Sequence, residues 1–493
     1  MGSQRVWSAI FFLPFFAALI IVLHIRYLNL PFHWDEMGQF VPAAVDIYRD
    51  GAWVPHSTLP NVHPPAVMAL VALMWKIFGY SIVAARLAML VVASAGLWLA
   101  FLLAIRLARG AAGAPAFAAA GFLLVTPLFY TQAMMVQLDM PAMTLTMLAL
   151  LLFLDRQWAW CAAACTLLVL TKETALTTPA VFAAWLWFRE RLRREALYFV
   201  APAIALGAWL IVLYRATGHW TGNAGFAEYN IGYALHPLQI LYSIGERALF
   251  LFIKDGRFIG AIALYFGWRM LRGKDWAIAL WVAGAQLALV TLLGGAVLDR
   301  YLLPVMPILY AAFAVCCSGY VPIWKWLSET ALMAMLIASF FLNPPFPFQY
   351  EDNLAMIDFV GLQQSAARFL DDSAPRARIA SMWPFTGAIE NQELGYLQRP
   401  LKAVEIQSFD LSALQTLDRQ SFDLLVVYSR QYPVEGSWLD TTWLDPLLRR
   451  LPGYHPQATQ DELIASGFVS VARWERRGQW IEIYRTEVTG AGR

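Results

Sequence analysis

Apolar stretches recur through the first 342 residues at lengths that suit a lipid bilayer, and this succession constrains the chain more than any other feature. A spanning helix needs about 20 mostly apolar residues. Stretches at roughly 8–25, 82–104, 112–128, 140–154, 158–171, 175–188, 197–214, 257–271, 276–297, 301–317 and 327–342 meet or approach that length. They predict an α-helical polytopic membrane protein with about eleven transmembrane helices. Shorter spans are tolerable where their ends sit in protein. Composition agrees: hydrophobic residues make up 59% of the 493 and charged residues only 14%, against roughly a quarter charged in soluble domains. The 21 Trp and 19 Tyr suit a chain that meets the membrane–water interface many times. A net charge of +2 provides no basic field for nucleic acid. Cys161, Cys165, Cys316 and Cys317 all lie in apolar runs, so neither a disulfide framework nor a zinc spacing is expected.

Basic residues set the expected topology. Arg5 precedes Ile10-Phe11-Phe12-Leu13, as in a signal peptide, but no small-x-small cleavage site follows, so the first span reads as an uncleaved anchor with a cytoplasmic N-terminus. Arg106 and Arg109, Arg156, the run Arg189–Arg194, Arg269 with Arg272 and Lys274, and Lys325 fall in alternate short connections. The positive-inside rule makes those connections cytoplasmic. Two longer outer segments remain, at about 26–81 and 215–256. In the first, Phe40-Val41, Ala44-Val45 and Ile47-Tyr48 recur at helical spacing, predicting an amphipathic interfacial helix before Gly51. Ala66 to Phe78 is apolar but too short to span, and reads as interfacial or re-entrant.

From about residue 350 the hydropathy collapses. Ala377–Ala380 and Leu424–Val427 read as strands, Leu411–Leu417 and Trp443–Leu451 as helices. Val469–Trp474 and Trp480–Tyr484 flank Arg476-Arg477-Gly478 as a hairpin. The expected organisation is a transmembrane domain over 1–342 and a soluble α/β domain over 343–493, on the outer face because the span count is odd.

Charge beside lipid is costly unless paired or functional. Five groups fall on the same predicted outer face: Asp35-Glu36, His63 before Pro64-Pro65, Asp139, Lys172-Glu173 and Arg300-Tyr301. Two adjacent carboxylates outside a membrane suit a general base or a metal site; they equally suit an N-cap and first-turn acid opening the interfacial helix. Asp139, two residues before Pro141 at the start of a span, also fits a cap. Lys172-Glu173 fits either an ion pair or a substrate contact. Arg300 fits a bidentate phosphate grip or an anchor to lipid head groups. His63 alone fits a structural role as well as a catalytic one.

Taken in order, these residues resemble the bacterial branch of the dolichyl-phosphate-mannose–protein mannosyltransferase superfamily, which includes the aminoarabinose transferases of lipid A. The resemblance is carried by Asp35-Glu36 after the first span, His63-Pro64-Pro65, Phe78-Gly79 with Ala85-Arg86-Leu87, Asp139 with Pro141, Leu170-Thr171-Lys172, and Arg300, Tyr301, Leu303, Pro304 and Pro307. Aminoarabinose transferases carry Lys where this chain has His63. The resemblance implies a GT-C fold, outer-face juxtamembrane helices, a polyprenyl-phosphate sugar donor, and an inverting displacement at the anomeric carbon. It implies an active site on the periplasmic or extracellular side of the plasma membrane.

Within that mechanism Asp35 takes the acceptor's proton, while Glu36 and Asp139 position the acceptor or a metal. Arg300 with Tyr301, and also Lys172, His63 and Arg86, contact the phosphate or its surroundings. Polyprenyl phosphate is already a workable leaving group, so no cofactor is required, although a divalent metal is compatible with the chemistry. The expected partners are the lipid-linked sugar, membrane lipid, and an acceptor lipid, glycan or protein. Rival readings are a lipid-linked-sugar flippase or transporter, which needs charges along a path through the bilayer, and a polysaccharide polymerase or ligase.

Overall fold

The computed structural model describes residues 8–111, 113–341, 351–430, 446–447 and 456–486. The chain forms two compact units. One comprises Met1–Asn29 and Pro42–Leu342, the other Leu30–Val41 and Asn343–Arg493.

The first unit is helical, as an apolar chain in lipid must be, because only a helix pairs every backbone N–H and C=O within its own segment. Ala9–Tyr27, Ile82–Leu107, Arg193–Thr217 and Lys274–Leu292 are long and apolar enough to cross a membrane by length and composition. Ala66–Phe78, Pro115–Leu124, Asp139–Leu154, Trp158–Thr171, Phe258–Met270 and Met306–Cys317 are apolar but shorter. The stretch at 112–128 is broken: Thr126 is extended (φ −73°, ψ 123°) and Pro127 starts a separate short helix. Proline pushes the residue before it out of the helical region.

Two kinds of helix emerge. Met306–Cys317 is buried along its whole length and Ile82–Leu107 along most of it. Arg193–Thr217 instead exposes Leu197, Ile204, Ile211 and Val212, as a lipid-facing helix would. Helix Phe258–Gly267 packs closely on Met306–Cys317 through glycine: a Cβ at Gly260 would stand 2.2 Å from the Phe313 ring. The segment expected as an outer loop at 215–256 contains a 16-residue helix, Pro237–Phe252. Its pattern is inverted. Leu238, Leu241, Ile244 and Leu249 are exposed, while Gln239, Ser243 and Arg247, four residues apart, are buried.

The second unit holds a five-stranded sheet in the order β2-β1-β3-β5-β4, with β1 Arg378–Ser381, β2 Lys402–Glu405, β3 Leu424–Tyr428, β4 Phe468–Arg476 and β5 Gln479–Thr486. β1 pairs in parallel with β2 and β3; β5 runs antiparallel to β3 and β4. Ile379, Ala380, Leu425, Val426 and Val427 are all buried, and strands covered on both faces read as such continuous apolar runs. Arg477 and Gly478, with φ of 48° and 79°, turn the β4–β5 hairpin. Helix Ala355–Ser373 packs Phe359, Val360, Ala366 and Leu370 into the core beside β4 and β5. Of the helix expected at Trp443–Leu451, only residues 446–447 are described.

Candidate active site

Three helix ends in the first unit bring together Asp139, Lys172 and Arg300. Asp139 opens helix Asp139–Leu154, where the aligned peptide dipoles favour an anion. Lys172 ends helix Trp158–Thr171, its backbone N–H donating to Leu168 O. Arg300 lies in the short turn Asp299–Leu302. Lys172 Nζ donates to Asp139 Oδ1, and Arg300 Nε lies 3.3 Å from Asp139 Oδ2. All three side chains are buried, at 4%, 6% and 6% exposure. The ring of Tyr301 completes the group, 4.2 Å from Lys172 Nζ and 5.7 Å from the Arg300 guanidinium carbon. Both Asp139 oxygens therefore face cations. That arrangement organises positive charge and leaves the carboxylate poorly suited to ligating a metal.

A second pair stands one residue along. His63 Nδ1 lies 2.9 Å from Glu173 Oε2. Burial pushes the Glu173 carboxyl up, but His63, and after it Lys172, outweigh that effect and hold it below the usual carboxylate range. Arg86 is fully buried and donates from Nη1 to Met134 O at 2.8 Å, so it braces the loop leading into Asp139.

Asp35 and Glu36 belong to the second unit. Glu36 is fully buried and accepts from the His33 N–H at 3.0 Å, the work of a structural cap. Asp35 is partly exposed, and its backbone N–H donates to Glu351 Oε1 at 3.0 Å. Phe32 N donates to Leu394 O, and the Tyr396 hydroxyl donates to Phe32 O. The segment carrying the two acids is thus tied into the C-terminal fold.

Sequence reasoning passed over three residues here. Glu351 lies in the polar C-terminal region, where a carboxylate attracts no notice. Arg247 and Gln239 lie on the inverted helix. Arg247 donates to Ser243 Oγ and Val290 O, within electrostatic reach of Asp299 and Tyr301. Its Nη1 and Gln239 Oε1 are buried with no hydrogen-bond partner among the described residues. The spacing 239, 243, 247 on an otherwise apolar helix was the available signal. Elsewhere, Asp46, Asp50 and His56 offer three ligand atoms within 4.8 Å of one another. Asp46 Oδ2 already accepts from His56 N, Ser57 N and Ser57 Oγ, so the group reads as a clasp on the turn after helix Val41–Asp50.

Residues 62–214 match the sequence model of the dolichyl-phosphate-mannose-protein mannosyltransferase family. His63, Arg86, Asp139 and Lys172 fall inside that match. The fold is similar to that of ArnT from Cupriavidus metallidurans in the apo state (16% identity, 97% of this chain and 98% of that chain, TM-score 0.54). It is also similar to the same protein bound to undecaprenyl phosphate (15% identity, 97% and 99%, TM-score 0.53). A comparison with curated proteins gives no match. These likenesses show a shared fold along nearly the whole chain and a family-like segment over residues 62–214.

Proposed function

We propose that the protein transfers a sugar from a polyprenyl-phosphate carrier to a hydroxyl of an envelope acceptor, with inversion at the anomeric carbon. The observation that carries this reading is the convergence of Lys172 and Arg300 on the buried Asp139. Two cationic heads fixed in an apolar unit suit a phosphate borne by a lipid. The inverted helix adds Arg247, whose exposed apolar side suits lipid while its guanidinium points inward. The ArnT of similar fold was solved with undecaprenyl phosphate bound, and a carrier of that class fits here.

In the transfer, the acceptor oxygen forms a bond to the anomeric carbon as the bond to the phosphate oxygen breaks. The acceptor's proton passes to Asp35, and polyprenyl phosphate leaves with the electron pair, its charge met by Arg300, Lys172 and Arg247. Asp139 holds the cations in place and Glu36 fixes the turn that presents Asp35. No cofactor is needed for these steps. The transmembrane unit, with about eleven spans, and the sheet unit take the topology that the basic connections favour, with Asp35 and residues 343–493 on the outer, periplasmic side.

The decisive assay offers purified protein a panel of polyprenyl-phosphate sugars and follows release of polyprenyl phosphate. Arg300→Ala weakens donor binding; Arg300→Lys restores part of it, since an ammonium lacks the guanidinium fork. Unchanged donor affinity in both variants removes Arg300 from the site. For topology, Ser373→Cys reacts with an impermeant maleimide in intact cells; labelling only after the membrane is opened places residues 343–493 inside.

A further inference from the structure

Trp34, immediately before Asp35, has a positive φ of 50°. For a bulky aromatic residue that is an outlier with a real energetic cost, and such residues persist only where their surroundings over-determine them. The surroundings here do so. The N–H groups of Met37 and Gly38 both donate to Trp34 O, Asp35 N donates to Glu351, and Phe32 N donates to Leu394 O. The result is to hold the Trp34 ring against Trp383, with centroids 4.4 Å apart and planes tilted by 55°.

Trp383 has its own special placement. It follows β1 at that strand's carboxyl end, and the Tyr428 hydroxyl, at the end of β3, donates to Trp383 O at 2.6 Å. In the order β2-β1-β3, neighbours lie on opposite sides of β1, which makes the carboxyl ends of β1 and β3 a topological switch point. Open α/β sheets bind their ligands in the crevice at that point. Glycines let Trp383 approach closely: a Cβ at Gly38 would stand 3.2 Å from its Cζ2, and one at Gly387 would stand 3.6 Å from Nε1. Yet both indoles remain partly exposed. Two tilted, partly exposed tryptophans at the carboxyl edge of β1 and β3, one of them next in the chain to Asp35, are more than core packing requires.

We propose that Trp34 and Trp383 form a stacking platform for the pyranose ring of the sugar handled at Asp35, so that the sheet unit takes part in substrate recognition. The proposal rests on the glycosyl-transfer reading above. The apolar C–H face of a pyranose carries partial positive charge and matches the negative face of an indole. The sugar's hydroxyls at the ring edge then reach the neighbouring carboxylate. A polyprenyl chain would also pack on indoles, but beside Asp35 it would strip water from a carboxylate and return no hydrogen bond.

The test uses the full-length protein in nanodiscs, with 5-fluorotryptophan incorporated and the Trp34 and Trp383 fluorine resonances assigned by W34F and W383F. Methyl glycosides of mannose, glucose, galactose and 4-amino-4-deoxyarabinose are titrated separately, and undecaprenyl phosphate is titrated alone. At least one glycoside shifts both resonances saturably, while the lipid phosphate moves neither. W383A abolishes the glycoside effect at Trp34. W383F, which keeps a ring and guards against a fold defect, binds the glycoside roughly 2- to 10-fold more weakly. If no glycoside moves either resonance, or the lipid phosphate moves both, the platform is wrong. Asp35→Asn separates the two ideas: shifts retained in a fully active variant sink the base and leave the platform, whereas no shifts in the parent protein together with an inactive Asp35→Asn variant sink the platform and leave the base.

Discussion

The two units contain the same chemical pair in different media. In the helical unit Arg300 meets Asp139 with both side chains about 95% buried, at 6% and 5% exposure. In the sheet unit Arg378 meets Asp423 at 43% and 48% exposure. The exposed pair has the better geometry, with two guanidinium nitrogens and the Arg378 backbone N–H on one carboxylate. It is nevertheless the less informative one. Water competes for an exposed pair and salt screens it, whereas burying a charge in an apolar unit is so costly that it persists only for a reason. Burial in an apolar unit, more than hydrogen-bond quality, marks a charged group as a candidate for function.

The strongest challenge to this contrast is Asp139→Asn. It keeps the shape but leaves Lys172 and Arg300 facing each other without their anion. Breaking a buried pair this way costs about 3–5 kcal/mol, read as a lowered unfolding temperature in detergent and lost turnover. A variant as stable as the parent would mean that the three residues do not depend on one another. Next in size is Asp35→Asn, where turnover falls by about 10²-fold or more, the scale of general-base loss. Folding and donor binding stay near normal, since Asn keeps the shape of Asp and the turn is held by the Asp35 backbone N–H on Glu351 and by the Glu36 carboxylate on His33 N. A well-folded, active variant moves the base elsewhere, with Glu351 the next carboxylate to test.

The smallest effect belongs to Asp423→Asn. Arg378's side chain and backbone hold the Asp423 carboxyl below its ordinary value. A depressed carboxylate contributes stability that is present above the unfolded-state pKa and fades as pH falls through the folded-state pKa. The variant therefore loses a slight acid-side dependence of stability, measured by thermal unfolding between pH 5 and pH 2. At neutral pH the change stays within that of an ordinary surface substitution. An effect rivalling Asp139→Asn would erase the distinction between the two media.

How much could be read from sequence follows the same line. Asp139, Lys172, Arg300 and Tyr301 drew attention because charge interrupts apolar runs there, and they do converge. The apolar runs also located most helices. Helix Pro237–Phe252 escaped because Gln239, Ser243, Glu246 and Arg247 lower its average hydropathy, and an average cannot register which side each residue faces. β2, Lys-Ala-Val-Glu, is a four-residue edge strand with no run to betray it. The pairing of Trp34 with Trp383 was out of reach because local patterns carry nothing about partners so distant in the chain. Glu351 was invisible for the opposite reason to Asp139: in a polar region an acid is ordinary.

The membership of Leu30–Val41 in the sheet unit has a temporal consequence. Its remaining partners begin at Asn343, about 300 residues later. At roughly 5–20 residues per second of synthesis, the segment emerges on the order of 15–60 seconds before the residues it bonds to exist. During that interval the segment, which carries Trp34 and Asp35, cannot make its hydrogen bonds to Glu351 and Leu394. The candidate catalytic turn is therefore among the last local structures to be completed, and a ribosome stalled before residue 343 would leave a membrane-inserted helical unit without it.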